Sequence, residues 1–247
     1  MTDNYRDRVI SKSHLTSYTF CPLQYKKIYV DKSVVQDENY AMVTGTRFHE
    51  FADTFMQIAH EYRPADWENF IHPDFTDSER DMISWFIDME RRRLIALDCD
   101  LDLWKPVFCE KTVINEELGI GGTIDRLDRF GSGYCIVEYK TGKSVYKPSL
   151  QKEIGFYKYL LSTVPDYADY QIVMGMVINP RVRQIELLKP SYESTILKLI
   201  QKCQDVRNGG EVIPTCSESK MAICSCKCSI EESGLYNKSV SGKKESD

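Results

Sequence analysis

The sequence predicts an α/β fold in which a helical first part leads into a stretch of strands. Three observations carry this. Strand-like runs at residues 107–114, 120–130 and 134–139 follow closely on one another, with the turn-forming Gly131-Ser132-Gly133 between the last two. A helix-like stretch at 148–161 then precedes two more strand-like runs, 171–179 and 184–188, arranged as a hairpin around Pro180. Ahead of them, 40–59 and 77–97 carry apolar residues at helical spacing.

Each element has a local reason. Ser13 stands as the cap of a first helix carrying Leu15, Tyr18 and Phe20, and Pro22 opens a further turn toward Tyr29. Thr76 and Glu79 have the capping-box spacing that introduces 77–97, whose buried stripe is Met82, Trp85, Phe86, Met89 and Leu94. Pro148 is acceptable in the first turn of 148–161, which packs Ile154, Tyr157 and Leu161 on the sheet. Residues 192–206 form a last helix that Asn208-Gly209-Gly210 ends, and the polar residues from Glu231 onward are expected to be disordered.

With 247 residues, 42% of them hydrophobic, the chain can build a sizeable core. One domain is expected over 1–230: a mainly helical part at 1–100, an α/β core at 105–208 and a cysteine-rich segment at 209–230, with 231–247 as a tail. No apolar run approaches the ~20 residues that span a bilayer, which argues against a membrane protein, and Met1 to Asp7 does not read as a signal peptide. An intracellular protein, cytoplasmic or nucleoid-associated, is expected. Nine cysteines, an odd number, speak against a disulfide scaffold. Cys99, Cys109, Cys135 and Cys203 fall in helix or strand patterns and read as small core residues.

The chemistry concentrates at the end of the third strand. Glu138 and Lys140 stand two residues apart, so they project to the same strand face while Tyr139 points away. A lone Glu-x-Lys is ordinarily an ion pair. Here Asp125, in Gly121-Gly122-Thr123-Ile124-Asp125, sits on the preceding strand of the same hairpin, so two hard oxygen ligands converge where magnesium or manganese could bind beside a lysine. Strand alternation puts Asp128 on the opposite face, where Arg126 or Arg129 is the expected partner.

Four pieces occur in order: Cys21-Pro22 within 17–25, Gly45-Thr46-Arg47-Phe48-His49, Gly122-Thr123-Ile124-Asp125, and Glu138-Tyr139-Lys140-Thr141-Gly142. This ordered set resembles the PD-(D/E)XK nuclease superfamily, and within it the RecB-type branch that includes CRISPR-associated and AddB-like iron-sulfur exonucleases. The resemblance implies a restriction-endonuclease-like fold, a central mixed β-sheet flanked by helices, with N-terminal helices and a cysteine-containing C-terminal segment. It implies His49, Asp125, Glu138 and the Tyr139 backbone carbonyl as ligands of Mg2+ or Mn2+, and Lys140 as the catalytic lysine. The branch continues with a helix bearing Gln-x-x-x-Tyr. This sequence departs from that pattern, either as Glu153 with Tyr157 or as Gln151 with Gly155, and the first register is preferred because a carboxylate there can still bond Lys140.

In the branch's iron-sulfur members, one N-terminal and three C-terminal cysteines hold a [4Fe-4S] cluster. Cys21 resembles the first, and three of Cys216, Cys224, Cys226 and Cys228 would supply the rest. Zinc would use the same thiolates, so thiol content leaves cluster, zinc or no metal open. The implied activity is exonuclease action on DNA with free ends or single strands, with helicase or recombination or CRISPR-adaptation proteins as partners. The other readings are a non-catalytic subunit of a larger DNA-processing assembly and a zinc-stabilised nucleic-acid-binding module. The net charge of −5 does not suggest a DNA enzyme, yet Lys140, Lys143, Lys147, Lys152 and Lys158, with Lys26, Lys27, Arg181 and Arg183 as further candidates, offer the makings of a basic face.

Overall fold

Five strands form a single sheet whose spatial order follows the chain: β1 (Phe108–Asn115), β2 (Ile120–Phe130), β3 (Gly133–Tyr139), β4 (Ile172–Asn179) and β5 (Gln184–Leu188). The computed structural model describes residues 8–35, 40–213 and 224. β1 to β3 form an antiparallel meander, β3 and β4 run parallel, and β4 and β5 close an antiparallel hairpin. The sheet is therefore mixed. A parallel step requires a crossover connection, and a helix over Lys147–Ser162 lies in that connection.

The remaining helices are α1 (Lys12–Phe20), α2 (Pro22–Tyr25), α3 (Tyr40–Ile58), α4 (Asp77–Ala96), α5 (Leu101–Trp104) and, after the crossover helix α6, α7 (Glu193–Arg207). The chain divides into two compact units, one of Glu38–Glu193 and one that joins the two ends, Met1–Asp37 and Ser194–Asp247.

In the end unit α1 starts from Ser11 and not Ser13, because the Ser11 amide finds an acceptor in His14 Nδ1 at 2.9 Å. Tyr25 is fully buried and donates to the Cys203 carbonyl at 3.2 Å. Burial, reinforced by Cys203, pushes its phenol up to about 12. Arg207 donates to the Val9 carbonyl at 2.9 Å, tying the last helix to the start of the chain.

In the larger unit, α3 and α4 cover one face of the sheet. Phe48, Phe51, Phe55, Met82 and Phe86 pack there with Cys135, Val137 and Tyr139, the alternate residues of β3. α6 covers the other face, where Ile154 lies so close to Gly175 that an added Cβ would collide with Ile154 Cδ1. The capping box at the start of α4 forms as its spacing predicts: Thr76 N donates to Glu79 Oε2 at 2.8 Å and Glu79 N to Thr76 Oγ1 at 3.3 Å. The helix ends at Ala96, followed by left-handed Asp98 and Cys99, so Cys99 is exposed and not the core residue the pattern suggested. The buried stripe of α4 includes Met82, Phe86 and Leu94, but also Glu79 and Glu90.

Glu90 is buried for a specific reason. Arg126, fully buried on β2, donates through Nη1 to Glu90 Oε1 at 2.6 Å, through Nε to Asp128 Oδ1 at 2.7 Å, and through Nη1 to the Tyr139 hydroxyl at 3.3 Å. Arg93 reaches Glu90 at 2.8 Å and Asp128 at 3.1 Å. Asp128 thus has Arg126 as partner, as alternation suggested, with Arg93 in place of Arg129. Burial penalises the Glu90 charge, but Arg126 and then Arg93 outweigh it and hold the carboxyl below its usual range. Burial likewise acts against the Arg126 charge, and Asp128 and Glu90 reverse that and raise it.

Removing one partner of such a group leaves buried charge uncompensated. Arg126→Met should lower the unfolding free energy at neutral pH by about 3–5 kcal/mol in urea titration. Because the folded carboxyl of Glu90 lies below its unfolded value, its contribution is present above the ordinary carboxylate range of about 4.3 and is lost as pH falls through the folded value. Glu90→Gln should therefore flatten the acid limb of the stability profile; an unchanged limb would mean that Glu90 is not held ionised.

Candidate active site

β2 and β3 separate at Asp125 and Glu138. Their ladder runs from Phe130 and Gly133 to Arg126 and Val137. Beyond that pair, the Tyr139 amide donates to Asp125 Oδ2 at 2.8 Å, so a nearly buried carboxylate takes a charge-assisted hydrogen bond from the neighbouring strand. On the other side of β3, the Lys140 amide donates to the Ile178 carbonyl at 3.0 Å, and Asn179 Nδ2 reaches the Gly142 carbonyl at 2.9 Å. The end of β3 is thus fixed on both flanks while the gap toward β2 is filled by a side chain.

α3 delivers His49 to this gap. Its Nδ1 lies 3.7 Å from Asp125 Oδ2. The approach depends on small size one turn earlier, since a Cβ added to Gly45 would stand 3.3 Å from Thr141 Oγ1. It depends also on Tyr139, whose ring meets those of Phe48 and His49 edge to face at 5.7 Å.

A residue with no role in the sequence reading joins them. Glu110, on β1, places Oε1 3.2 Å from His49 Nδ1. His49, Glu110 and Asp125 offer ligand atoms that all lie within 4.8 Å of one another. Among the described residues they are the one trio of this kind. A register count would have found Glu110: Cys109 pairs with Arg126 and Lys111 with Ile124, so position 110 faces 125. The Gly131-Ser132-Gly133 turn marks the pairing of β2 with β3, whereas only the count back across residues 116–119 to β1 brings position 110 to Asp125.

Glu138 is fully buried and Lys140 Nζ stands between two carboxylates, 3.2 Å from Glu138 Oε2 and 2.8 Å from Glu153 Oε2. The Glu153 register is thereby the one that meets Lys140. Tyr157, one turn further along α6, is buried, donates its hydroxyl to the Thr123 carbonyl and lies against Gly122, where an added Cβ would stand 3.0 Å from Tyr157 Cε1. This anchors the segment of β2 that leads to Asp125.

Imidazole with carboxylate oxygens suits magnesium or, better, manganese, so the donor set at His49, Glu110 and Asp125 fits a divalent cation. Of the proposed cluster ligands, Cys21 is buried and Cys224 Sγ lies 3.1 Å from Gln24 Oε1, both in the end unit. Cys216, Cys226 and Cys228 lie outside the described residues, as does the tail at 231–247. Several members of the expected basic face are engaged with acids: Lys147 with Glu186 at 2.7 Å, Arg183 with Asp81 at 2.7 Å and Lys26 with Asp31 at 3.1 Å.

The model of the PD-(D/E)XK nuclease superfamily matches residues 9–230. The chain belongs to this superfamily. Superfamily members use divalent metals to cut nucleic-acid phosphodiesters, and the mixed sheet flanked by helices is the restriction-endonuclease-like fold. The crystal structure of SSO0001 aligns with 84% of this chain and 96% of that one at 18% identity, with a TM-score of 0.30. No curated protein matches the sequence. Among the described residues no helix is long and apolar enough to cross a membrane.

The hydroxyl of Tyr157 yields a direct check on how β2 is held. Tyr157→Phe should cost about 1 kcal/mol in thermal or urea unfolding; an unchanged stability would mean that the hydroxyl does not anchor Thr123.

Proposed function

We propose that the protein is a Mg2+- or Mn2+-dependent deoxyribonuclease that acts as an exonuclease on DNA ends or single-stranded DNA. The observation that carries this reading is the meeting of His49, Asp125 and the Tyr139 amide at the point where β2 and β3 separate, with Glu138 and Lys140 on either side of Tyr139. His49, Asp125, Glu138 and the Tyr139 carbonyl would hold the cation. Bound there, a divalent ion supplies Lewis-acid polarisation of the scissile phosphodiester and lowers the pKa of a bound water.

The chain's own groups do the rest. Lys140 Nζ is held in place by Glu138 and Glu153, so its positive charge is pre-oriented for the charge that develops on phosphorus-bound oxygens. Glu153 stands where the RecB-type pattern has glutamine and holds that ammonium at 2.8 Å. Tyr157 positions β2 through the Thr123 carbonyl, and β2 carries Asp125. Buried Asp125 stays oriented by the Tyr139 amide through Oδ2, the same oxygen that faces His49 Nδ1.

DNA is the proposed substrate, within recombination, repair or CRISPR-type processing, alongside a helicase or adaptation protein. A [4Fe-4S] cluster on Cys21 and three of the C-terminal cysteines would join the two ends of the chain, a reading supported by the compact unit that the ends form and that contains both Cys21 and Cys224. Zinc is the competing occupant of the same thiolates.

Two measurements test the reading. Full-length protein incubated with end-labelled single- and double-stranded DNA should cleave with Mg2+ or Mn2+, and Lys140→Ala should reduce the rate by about 10²-fold or more, the scale of losing one preorganised charge-stabilising group. Absence of cleavage in every condition, or equal cleavage by Lys140→Ala, would leave a DNA-binding subunit as the better account. An anaerobic preparation should be brown and contain iron and sulfide; a colourless one without them would exclude the cluster.

A further inference from the structure

We propose that Glu110 is a direct ligand of the divalent cation and supplies, with Asp125, the second negative charge beside His49. This rests on the cation-dependent reading above and adds to it a ligand from β1 that the four ordered motifs do not contain.

Three independent features point to Glu110. The first is position. The pairs on either side, Cys109 with Arg126 and Lys111 with Ile124, share one register across the gap in the ladder, so residue 110 falls opposite Asp125. The second is conformation. Glu110 has φ of +43°, in the left-handed region that residues other than glycine rarely enter, and it does so within a strand. Such backbone is held only where surrounding structure requires it, and it recurs at ligand clamps. Here it occurs at the residue whose carboxylate reaches His49.

The third is charge. Lys140 already stands between Glu138 and Glu153, so an ammonium offsets part of the negative charge that Glu138 brings. Among the described residues the ion-pair partner of Glu110 is His49. Asp125 and Glu110 thus set two carboxylate donors beside the His49 imidazole. The spacing is suitable as well. Donors on adjacent positions of an octahedral cation with bonds of about 2.1 Å lie about 3 Å apart, and Glu110 Oε1 is 3.2 Å from His49 Nδ1. Glu110 and His49 are each about one-third exposed, 31% and 29%, so solvent and a hydrated ion reach both.

The alternative is that Glu110 only orients His49 as an ion-pair partner. Equilibrium Mn2+ titration of EDTA-stripped, full-length protein without DNA, read by the EPR signal of free Mn2+, separates the two. Glu110→Gln should weaken Mn2+ binding by about a hundredfold or more, at or beyond the ~10–100-fold typical of losing an outer-shell partner, while the unfolding midpoint of the metal-free protein shows that the variant is folded. Made in a His49→Ala background, Glu110→Gln should weaken binding again. A loss present with His49 and absent without it would reduce Glu110 to a positioning residue and overturn the proposal, as would unchanged affinity in Glu110→Gln. Should Glu110→Gln fail to fold, Glu110→Asp, which keeps the charge and shortens the reach, should bind Mn2+ at least severalfold more weakly than wild type, and equal affinity would overturn the proposal. Failure of the wild-type protein to bind Mn2+ at all would instead remove the cation-dependent reading on which this one stands.

Discussion

Burying Arg126 is the constraint on which the rest of this structure depends. A guanidinium cannot leave water without partners, so β2 must bring Asp128, α4 must bring Glu90, and β3 must bring the Tyr139 hydroxyl to the same point. That requirement fixes the distance between two strands and a helix. Arg126 is the neighbour of Asp125, and Tyr139 lies between Glu138 and Lys140. The network on the α4 side therefore sets the register of the residues that carry the proposed chemistry.

Tyr139 is the hinge of this arrangement. Its ring sits among Phe48 and Phe86 and its hydroxyl touches Arg126, while its amide holds Asp125. Burial pushes the phenol well above its ordinary value, so it stays protonated and serves as a neutral partner to the guanidinium. One residue thus couples the apolar core to the polar gap. Its identity in the Glu-x-Lys motif is structural, while the flanking residues face α6.

Much of this was legible in the sequence because it depends on local rules. The hairpin of β2 and β3 followed from alternation and a glycine turn, the start of α4 from a capping box, and the meeting of Lys140 with Glu153 from the resemblance to the RecB-type helix pattern. What escaped notice depends on partners far away in sequence. Glu90 reads as a solvated helix residue until Arg126 arrives from β2. Glu110 reads as an exposed strand residue until α3 places His49 beside it. Cys99 fails as a core residue because the chain leaves α4 through left-handed turns that periodicity does not foresee. Lys147, Arg183 and Lys26, counted toward a basic face, have acidic neighbours that no local pattern predicts.

The central claim is that the gap between β2 and β3 is a divalent-cation site served by α3. Anomalous scattering from crystals soaked in Mn2+, recorded on both sides of the manganese edge, tests it most directly. The account predicts a strong peak within bonding distance of His49 and Asp125. Ordered manganese elsewhere in the chain, with none in that gap at saturating concentration, would contradict it.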